Sequence, residues 1–231
     1  MRVPDQPLRF AREANLIPAL IDEFVPALGH LPVAFLPGAG APSAVFVTGL
    51  APGSNAFVSE DGHWRVAYVP AYLRRYPFII GEVQGQEPVL CIDDSYEGLG
   101  KKAGERFFSK NGRSEPPLTR ALEFAQSYRA AAERTEAFSA RLRELELFRS
   151  VTLDAKDQAG GRTSVHGLMV VDEEALAALP DEAALSLHRA GYLRAIHAHL
   201  FSLRTVSRLA EGGDEGTVPA SDAPFETQGA A

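Results

Sequence analysis

The side chains best suited to chemistry lie in residues 64–78, which read WRVAYVPAYLRRYPF. This signature segment contains five aromatic residues, three arginines and two prolines. Arginines beside aromatic rings bind a carboxylate or a phosphate through bidentate hydrogen bonds and stacking. Arg74, Arg75 and Tyr76 therefore predict a ligand-binding function. They are equally compatible with a structural role, in which the arginines tie a loop to nearby carboxylates.

The signature segment also contains Trp64, Tyr68 and Tyr72, whose large rings carry a polar tip. Such residues bury much apolar area and still offer one hydrogen-bonding group. The sequence predicts either the edge of a core or a shelf for a ligand.

Asp93 and Asp94 follow the apolar stretch 88–92, where a predicted strand gives way to a long loop. Adjacent carboxylates bind a cation or a substrate amine, and one of them can act as a general base. Alternatively, Asp94 caps a turn and Asp93 pairs with an arginine. Cys91, at the end of the strand, is predicted to be a buried, small apolar residue rather than a nucleophile.

The histidines do not predict a metal site. His197 and His199 stand two apart on a predicted helix, about 200° apart around its axis, so they cannot chelate one ion. Together with His188 they are predicted to lie on a polar face or rim. His63 lacks a carboxylate at the His-x-Asp spacing typical of iron centres with two histidines and one carboxylate. The sequence thus specifies neither metal ligands nor a cofactor.

Short extended elements are predicted for the first half of the chain, because prolines and glycines punctuate apolar runs that are rich in β-branched and aromatic residues. A turn is predicted at 84–87, and a long loop at 93–113. The predicted strands are 31–36, 44–48, 55–58, 64–66, 76–83 and 88–92.

A central helix of about 30 residues is predicted from apolar residues that recur every three or four positions between Leu118 and Leu145. Ser114 is its predicted cap, since prolines are tolerated in the turn that follows. A hairpin is predicted from strands 150–153 and 163–171 around a turn at 157–161.

Two further helices are predicted to close the folded part of the chain. Asp172 is predicted to cap the first and Asp181 the second, with a break at Pro180. The fold class is α+β: an N-terminal antiparallel β portion, a long central helix, a β-hairpin and a C-terminal helical pair.

The bulk composition limits the classes of function. The 231 residues carry a net charge of −7, of which residues 211–231 contribute −5, so the rest carries −2. This balance predicts no nucleic-acid partner.

No run approaches the roughly 18 apolar residues of a membrane span, and no secretory signal is evident, so a cytoplasmic location is expected. We expect an extension at 1–14, a single domain at 15–210 and a disordered acidic tail at 211–231.

The signature segment resembles the SapC family of bacterial proteins, whose members show a Trp, then Tyr-Val-Pro-Ala, then Arg-Arg-Tyr-Pro-Phe. Further similarity lies in the central helix and the C-terminal region, and the resemblance spans roughly residues 15–203. The additional matching segments are 90–95 (LCIDDS), 104–108 (GERFF), 121–124 (ALEF), 134–138 (RTEAF), 171–174 (VDEE), 179–182 (LPDE) and 198–200 (AHL).

The resemblance implies a role around peptides, surface proteins or their modification. The family takes its name from a gene associated with bacterial surface-layer loci, and its relatives are often encoded beside outer-membrane receptors, flavin-dependent halogenases and cupin-like oxygenases. It implies no catalytic residue set. The name is shared with a peptide-transporter permease, which this chain does not resemble because it lacks membrane spans.

Three hypotheses follow. The first is a non-enzymatic accessory or binding protein of a surface-layer or peptide-handling system, with a protein or peptide partner. The second is a metal-dependent, cupin-like or oxygenase-like enzyme acting on peptides or amino-acid derivatives, using a carboxylate from Asp93 or Asp94 and a histidine such as His63. The third makes the signature segment a folding element. The candidate ligand-binding residues are Trp64, Tyr68, Arg74, Arg75, Tyr76, Asp93 and Asp94.

Overall fold

The computed structural model describes residues 1–2, 4–81, 89–100, 104–156 and 162–209, without the side chains of 154–156, 162 and 163. The turns predicted at 84–87 and 157–161 lie outside the described residues, as does the predicted disordered tail at 211–231. Within the described part, antiparallel sheets and five α-helices confirm the predicted α+β class.

Seven strands of the described residues form two antiparallel sheets. The larger sheet has the order β1-β3-β2-β7-β6, and β4 pairs with β5 in the smaller one. The late hairpin β6–β7 therefore completes the N-terminal sheet, a long-range pairing that the sequence does not predict. The strands are β1 (Leu16–Pro18), β2 (Val33–Leu36), β3 (Ser43–Val47), β4 (Phe78–Gly81), β5 (Val89–Ile92), β6 (Phe148–Lys156) and β7 (Arg162–Val171).

The strands predicted at 55–58 and 64–66 reduce to one isolated bridge between Val58 and Trp64. The Asn55 side chain accepts the Phe57 N–H at 2.9 Å and donates to the Ala11 carbonyl at 2.9 Å. The Ala56 N–H donates to the Thr48 carbonyl at 2.8 Å, so this stretch bonds other segments instead of continuing the ladder.

The helices are α1 (Ala71–Arg74), α2 (Pro116–Glu144), α3 (Glu173–Ala177), α4 (Asp181–Arg189) and α5 (Tyr192–Ser202). Helix α2 has 29 residues, close to the predicted length, but Glu115 rather than Ser114 occupies its N-cap position. Short 3-10 helices at Arg9–Ala11, Ile21–Glu23 and Leu203–Leu209 complete the described elements.

The C-terminal helices differ from the prediction at two points. Asp172 caps α3 by accepting the Glu174 and Ala175 N–H groups, as predicted. Asp181 is instead the first residue of α4, after Pro180. Gly191, at φ 74°, divides the second predicted helix into α4 and α5 because it adopts the left-handed conformation that ends a helix.

The main core lies between the larger sheet and the helices, and aromatic rings fill its centre. Phe35 lies 4.8 Å from Phe148, and Phe138 of α2 lies 6.0 Å from Phe24 and 5.1 Å from Tyr192. Edge-to-face contacts of this kind stabilise the core beyond the area that they bury.

The prediction that His199 lies on a polar face or rim is wrong, because its side chain is fully buried. Phe35 of β2 pairs with Met169 of β7, so the register places Val33 opposite Val171. The imidazole of His199 stands between them: Nε2 accepts the Val171 N–H at 3.1 Å, and Nδ1 lies 3.0 Å from the Val33 carbonyl. His188 and His197 are exposed, as predicted.

Candidate functional site

The signature segment folds around a buried carboxylate, that of Glu23, which is 3% exposed. Glu23 Oε1 accepts hydrogen bonds from the Tyr68 hydroxyl at 2.8 Å and from the Ala71 N–H at 2.6 Å. Oε2 accepts the Leu20 N–H at 3.0 Å. Three donors from two segments therefore satisfy one carboxylate, as a buried charge requires.

Sequence reasoning does not identify Glu23 as part of this site. The available signal is its place beside Phe24; the structure buries both residues, whereas Asp22 is exposed. A carboxylate buried next to apolar residues needs donors. The sequence does not show that the donors come from Tyr68 and Ala71, more than forty positions away.

Arg74 completes the surroundings of Glu23. Its Nη2 lies 3.9 Å from Glu23 Oε1, its Nε donates to the Val69 carbonyl at 3.0 Å, and its guanidinium lies 5.4 Å from the Phe124 ring centroid. The arginine is therefore paired with a carboxylate other than Asp93 or Asp94, the partners considered in the sequence.

Trp64 and Tyr68 lie at the edge of the core. The indole Nε1 donates to the Tyr68 carbonyl at 2.7 Å, and the indole ring lies 5.7 Å from Phe57. The Tyr68 ring lies 6.4 Å from Phe46. Burial, followed by the Glu23 charge, raises the pKa of Tyr68, so its hydroxyl remains a neutral donor to that carboxylate.

Arg75 has different surroundings, although it is the next residue along the chain. Its guanidinium carbon lies 4.3 Å from the Tyr72 ring centroid and 4.7 Å from that of Tyr128. Among the described residues, no carboxylate oxygen lies within 4 Å of its nitrogens. Two cation–π contacts thus hold a half-buried cation that has no anionic partner there.

Arg75 stands beside a groove between β4–β5 and α2. The groove consists of two adjoining depressions of about 200 and 340 Å³, which share Ile80 and Arg129. Ile79 is 47% exposed and Leu122 is 40% exposed. The lining residues are Arg75, Ile79, Ile80, Leu90, Leu122, Ala125, Gln126, Tyr128, Arg129, Ala130, Ala132 and Glu133.

The Tyr128 hydroxyl adds a polar group to this groove. Burial raises the pKa of Tyr128 to about 12, and the Arg75 charge opposes part of that rise. At neutral pH the phenol is therefore protonated and can donate a hydrogen bond next to the Arg75 cation.

Tyr76 lies in a third environment, next to Asp93. Its hydroxyl donates to Asp93 Oδ2 at 3.1 Å, and its ring stacks on Phe10 at 3.9 Å. Asp93 Oδ1 accepts from the Ser95 N–H at 2.9 Å and the Ser95 hydroxyl at 2.6 Å. The Ser95 bonds, with a smaller effect from Tyr76, lower the pKa of Asp93.

These contacts correct the predicted structural roles of the two aspartates. Asp93, not Asp94, caps the turn, because its side chain reaches the N–H two residues ahead. Asp93 also bonds a tyrosine instead of an arginine. Asp94 is exposed.

The residues considered for a metal-dependent enzyme are not brought together within the described part of the chain. No group of three or more His, Cys, Asp and Glu side chains there could hold a metal ion. His63 Nε2 lies 3.9 Å from Asp61, while Asp93 is bonded to Tyr76 and Ser95. Cys91 is half-buried on β5 instead of fully buried; among the described residues its sheet consists of β4 and β5.

The signature segment thus supplies three environments: Glu23 with Arg74 and Tyr68, the groove with Arg75, and Asp93 with Tyr76. A family model described as SapC matches residues 2–209, which include all three. The chain belongs to the SapC family. No curated protein and no solved structure matches this SapC-family chain.

The family match confirms the resemblance of the signature segment and extends it over nearly the whole chain. It includes Glu23, which lies outside the quoted motifs, and the groove, of which Arg75, Leu90 and Leu122 lie within them. In the part of this SapC-family chain that the structure describes, every helix is too short or too polar to cross a membrane.

Proposed function

We propose that this SapC-family protein is a non-enzymatic binding protein that holds an extended peptide in the groove between β4 and α2. The observation that carries the proposal is Arg75, a cation held between two aromatic rings with no carboxylate of the described residues beside it. The C-terminal carboxylate of the peptide is the expected contact.

The surroundings of Arg75 favour a planar anion. The Tyr72 and Tyr128 rings restrict the guanidinium, so little side-chain entropy is lost when a ligand binds. A guanidinium donates two parallel hydrogen bonds to a carboxylate. The neutral Tyr128 hydroxyl can donate a third bond nearby.

The rest of the groove suits an apolar, extended chain. Its lining on α2 runs from Leu122 to Glu133, which corresponds to about 16 Å of helix and about five residues of extended peptide. Among the described residues, β4 and β5 pair only with each other. An extended peptide can add to such an edge through backbone hydrogen bonds.

The surface-layer or peptide-handling setting belongs to the same proposal. The family resemblance implies this setting. In a peptide-handling system, the function of an accessory protein with such a groove would be to bind an extended peptide. Arg74 and Tyr68 have a supporting role in this proposal, because they bind Glu23 and so fix the chain that leads to Arg75.

A fluorescence anisotropy screen tests the proposal with a library of labelled pentapeptides, each made with a free C-terminal carboxylate and as the amide. Peptides rich in apolar residues should bind the wild-type protein, and their acids should bind at least about tenfold more tightly than their amides. Equal affinity of acids and amides, or binding of neither, would contradict the proposal.

A pair of matched variants locates the binding. Ala130→Trp fills the groove at an exposed position of α2, and Ala137→Trp places the same side chain at an exposed position outside it. The first variant should lose peptide binding and the second should retain it. Equal binding by the two variants would place the peptide elsewhere.

A further inference from the structure

A second cleft lies between the α4–α5 turn, the short helix Ile21–Glu23 and α2. Its volume of about 580 Å³ exceeds that of either depression of the peptide groove, and it shares no lining residue with them. This volume lies in the range of sites for small organic ligands. We call it the Arg194 cleft, after one of its cationic residues.

The charged groups of the Arg194 cleft leave one positive charge unbalanced. Arg134 donates to the Asp22 carboxylate through Nη2. Arg194, on the first turn of α5, has no carboxylate oxygen of the described residues within 4 Å. Two guanidinium groups with one carboxylate favour a ligand that carries a single negative charge.

The backbone of the α4–α5 turn favours an anion at the same place. The first turn of α5 contains no acidic residue and no capping side chain, because Gly191 occupies the N-cap position. Helix N-termini stabilise negative charge through their free N–H groups. A Cβ atom at Gly191 would have no neighbour within 4 Å, so open space adjoins this turn.

Part of the lining of the Arg194 cleft is apolar. Val25 and Pro26 contribute aliphatic surface, and Tyr192 contributes a ring that is held edge-on against Phe138 at 5.1 Å. The lining therefore combines apolar and cationic groups, as sites for amphipathic small molecules do.

We infer that the Arg194 cleft binds a small amphipathic carboxylate. The carboxylate contacts the Arg194 and Arg134 guanidinium groups near the start of α5, and the apolar part packs against Val25, Pro26 and Tyr192. This is a ligand site separate from the peptide groove, and it does not depend on the function proposed for that groove.

Isothermal titration calorimetry with N-acetylphenylalanine and its uncharged amide tests the inference on the full chain. The acid should bind the wild-type protein at least about tenfold more tightly than the amide, because a carboxylate makes stronger hydrogen bonds with a guanidinium group than a neutral amide does. Arg194→Gln should weaken binding of the acid by a similar factor. Arg189→Gln, an exposed arginine of α4 that does not line the cleft, should leave it unchanged.

Arg75→Gln distinguishes binding in the Arg194 cleft from binding in the peptide groove, because N-acetylphenylalanine is small enough to enter both. Binding lost in Arg194→Gln and retained in Arg75→Gln supports the inference, whatever the peptide screen gives. The inference is overturned if the acid fails to bind the wild-type protein, if it binds no better than the amide, or if Arg194→Gln binds it like the wild type. Urea unfolding of each variant confirms that it is folded.

Discussion

The Tyr68 hydroxyl donates a hydrogen bond of 2.8 Å to the buried carboxylate of Glu23. The same carboxylate accepts the N–H of Ala71, the first residue of α1. Consecutive helical residues point about 100° apart. Arg74 consequently lies near Glu23, while Arg75 reaches the rings of the groove.

Glu23→Ala should strongly destabilise the protein. The substitution leaves the N–H groups of Leu20 and Ala71 and the Tyr68 hydroxyl without their acceptor. The loss in free energy of unfolding, measured with urea, should be about 3–5 kcal/mol. Asp22→Ala, which removes an exposed carboxylate from the same short helix, should cost about 1 kcal/mol or less. Similar losses for both variants would show that Glu23 does not organise the signature segment.

His199 should make the folded state sensitive to acid. Burial lowers its pKa from 6.5 to about 4, so the unfolded chain binds more protons between those values. Stability contributed by the neutral imidazole is complete above about pH 6.5 and falls as the pH decreases toward 4. The contribution of this one group between pH 7 and pH 5 is about 2 kcal/mol.

Urea unfolding at pH 7 and pH 5 measures this effect by comparing the wild type with His199→Gln. The variant should be less stable at pH 7 and should lose about 2 kcal/mol less than the wild type on acidification. His197→Gln, an exposed position on the same helix, should follow the wild type. A wild-type pH dependence in His199→Gln would assign the acid sensitivity to other groups.

The turn at Asp93 can be tested by NMR titration of its carboxyl group. Hydrogen bonds from Ser95 are the largest cause of its lowered pKa, and the Tyr76 bond is a smaller one. Ser95→Ala should therefore raise the pKa of Asp93 toward 3.8 more than Tyr76→Phe does. The reverse order would mean that Tyr76 is the main partner of Asp93.

Local patterns in the sequence predict many of the elements but few of the contacts between them. The apolar repeat of α2 and the cap at Asp172 depend on neighbouring residues, and both predictions are confirmed. The burial of His199 depends on β2 and β7, which are far apart in the chain. A pattern within one helix cannot show that a histidine replaces a backbone contact between two such strands.

The candidate site shows the same limit. Residues of the signature segment are adjacent in sequence, yet the structure distributes them among Glu23, the groove and Asp93. The type of each side chain is evident from the sequence, whereas its partner depends on folding. Arg74 and Arg75 illustrate this, because identical neighbouring residues acquire a carboxylate in one case and two rings in the other.

Arg74→Gln and Arg75→Gln, compared for peptide affinity and for stability, test the central claim most directly. Arg75→Gln should weaken binding of the best acid peptide in the anisotropy titration by at least about tenfold. Arg74→Gln should lower the free energy of unfolding by about 1 kcal/mol and leave peptide affinity within a factor of about three. A folded Arg75→Gln protein that binds the peptide as tightly as the wild type would contradict the assignment of Arg75 as the ligand contact.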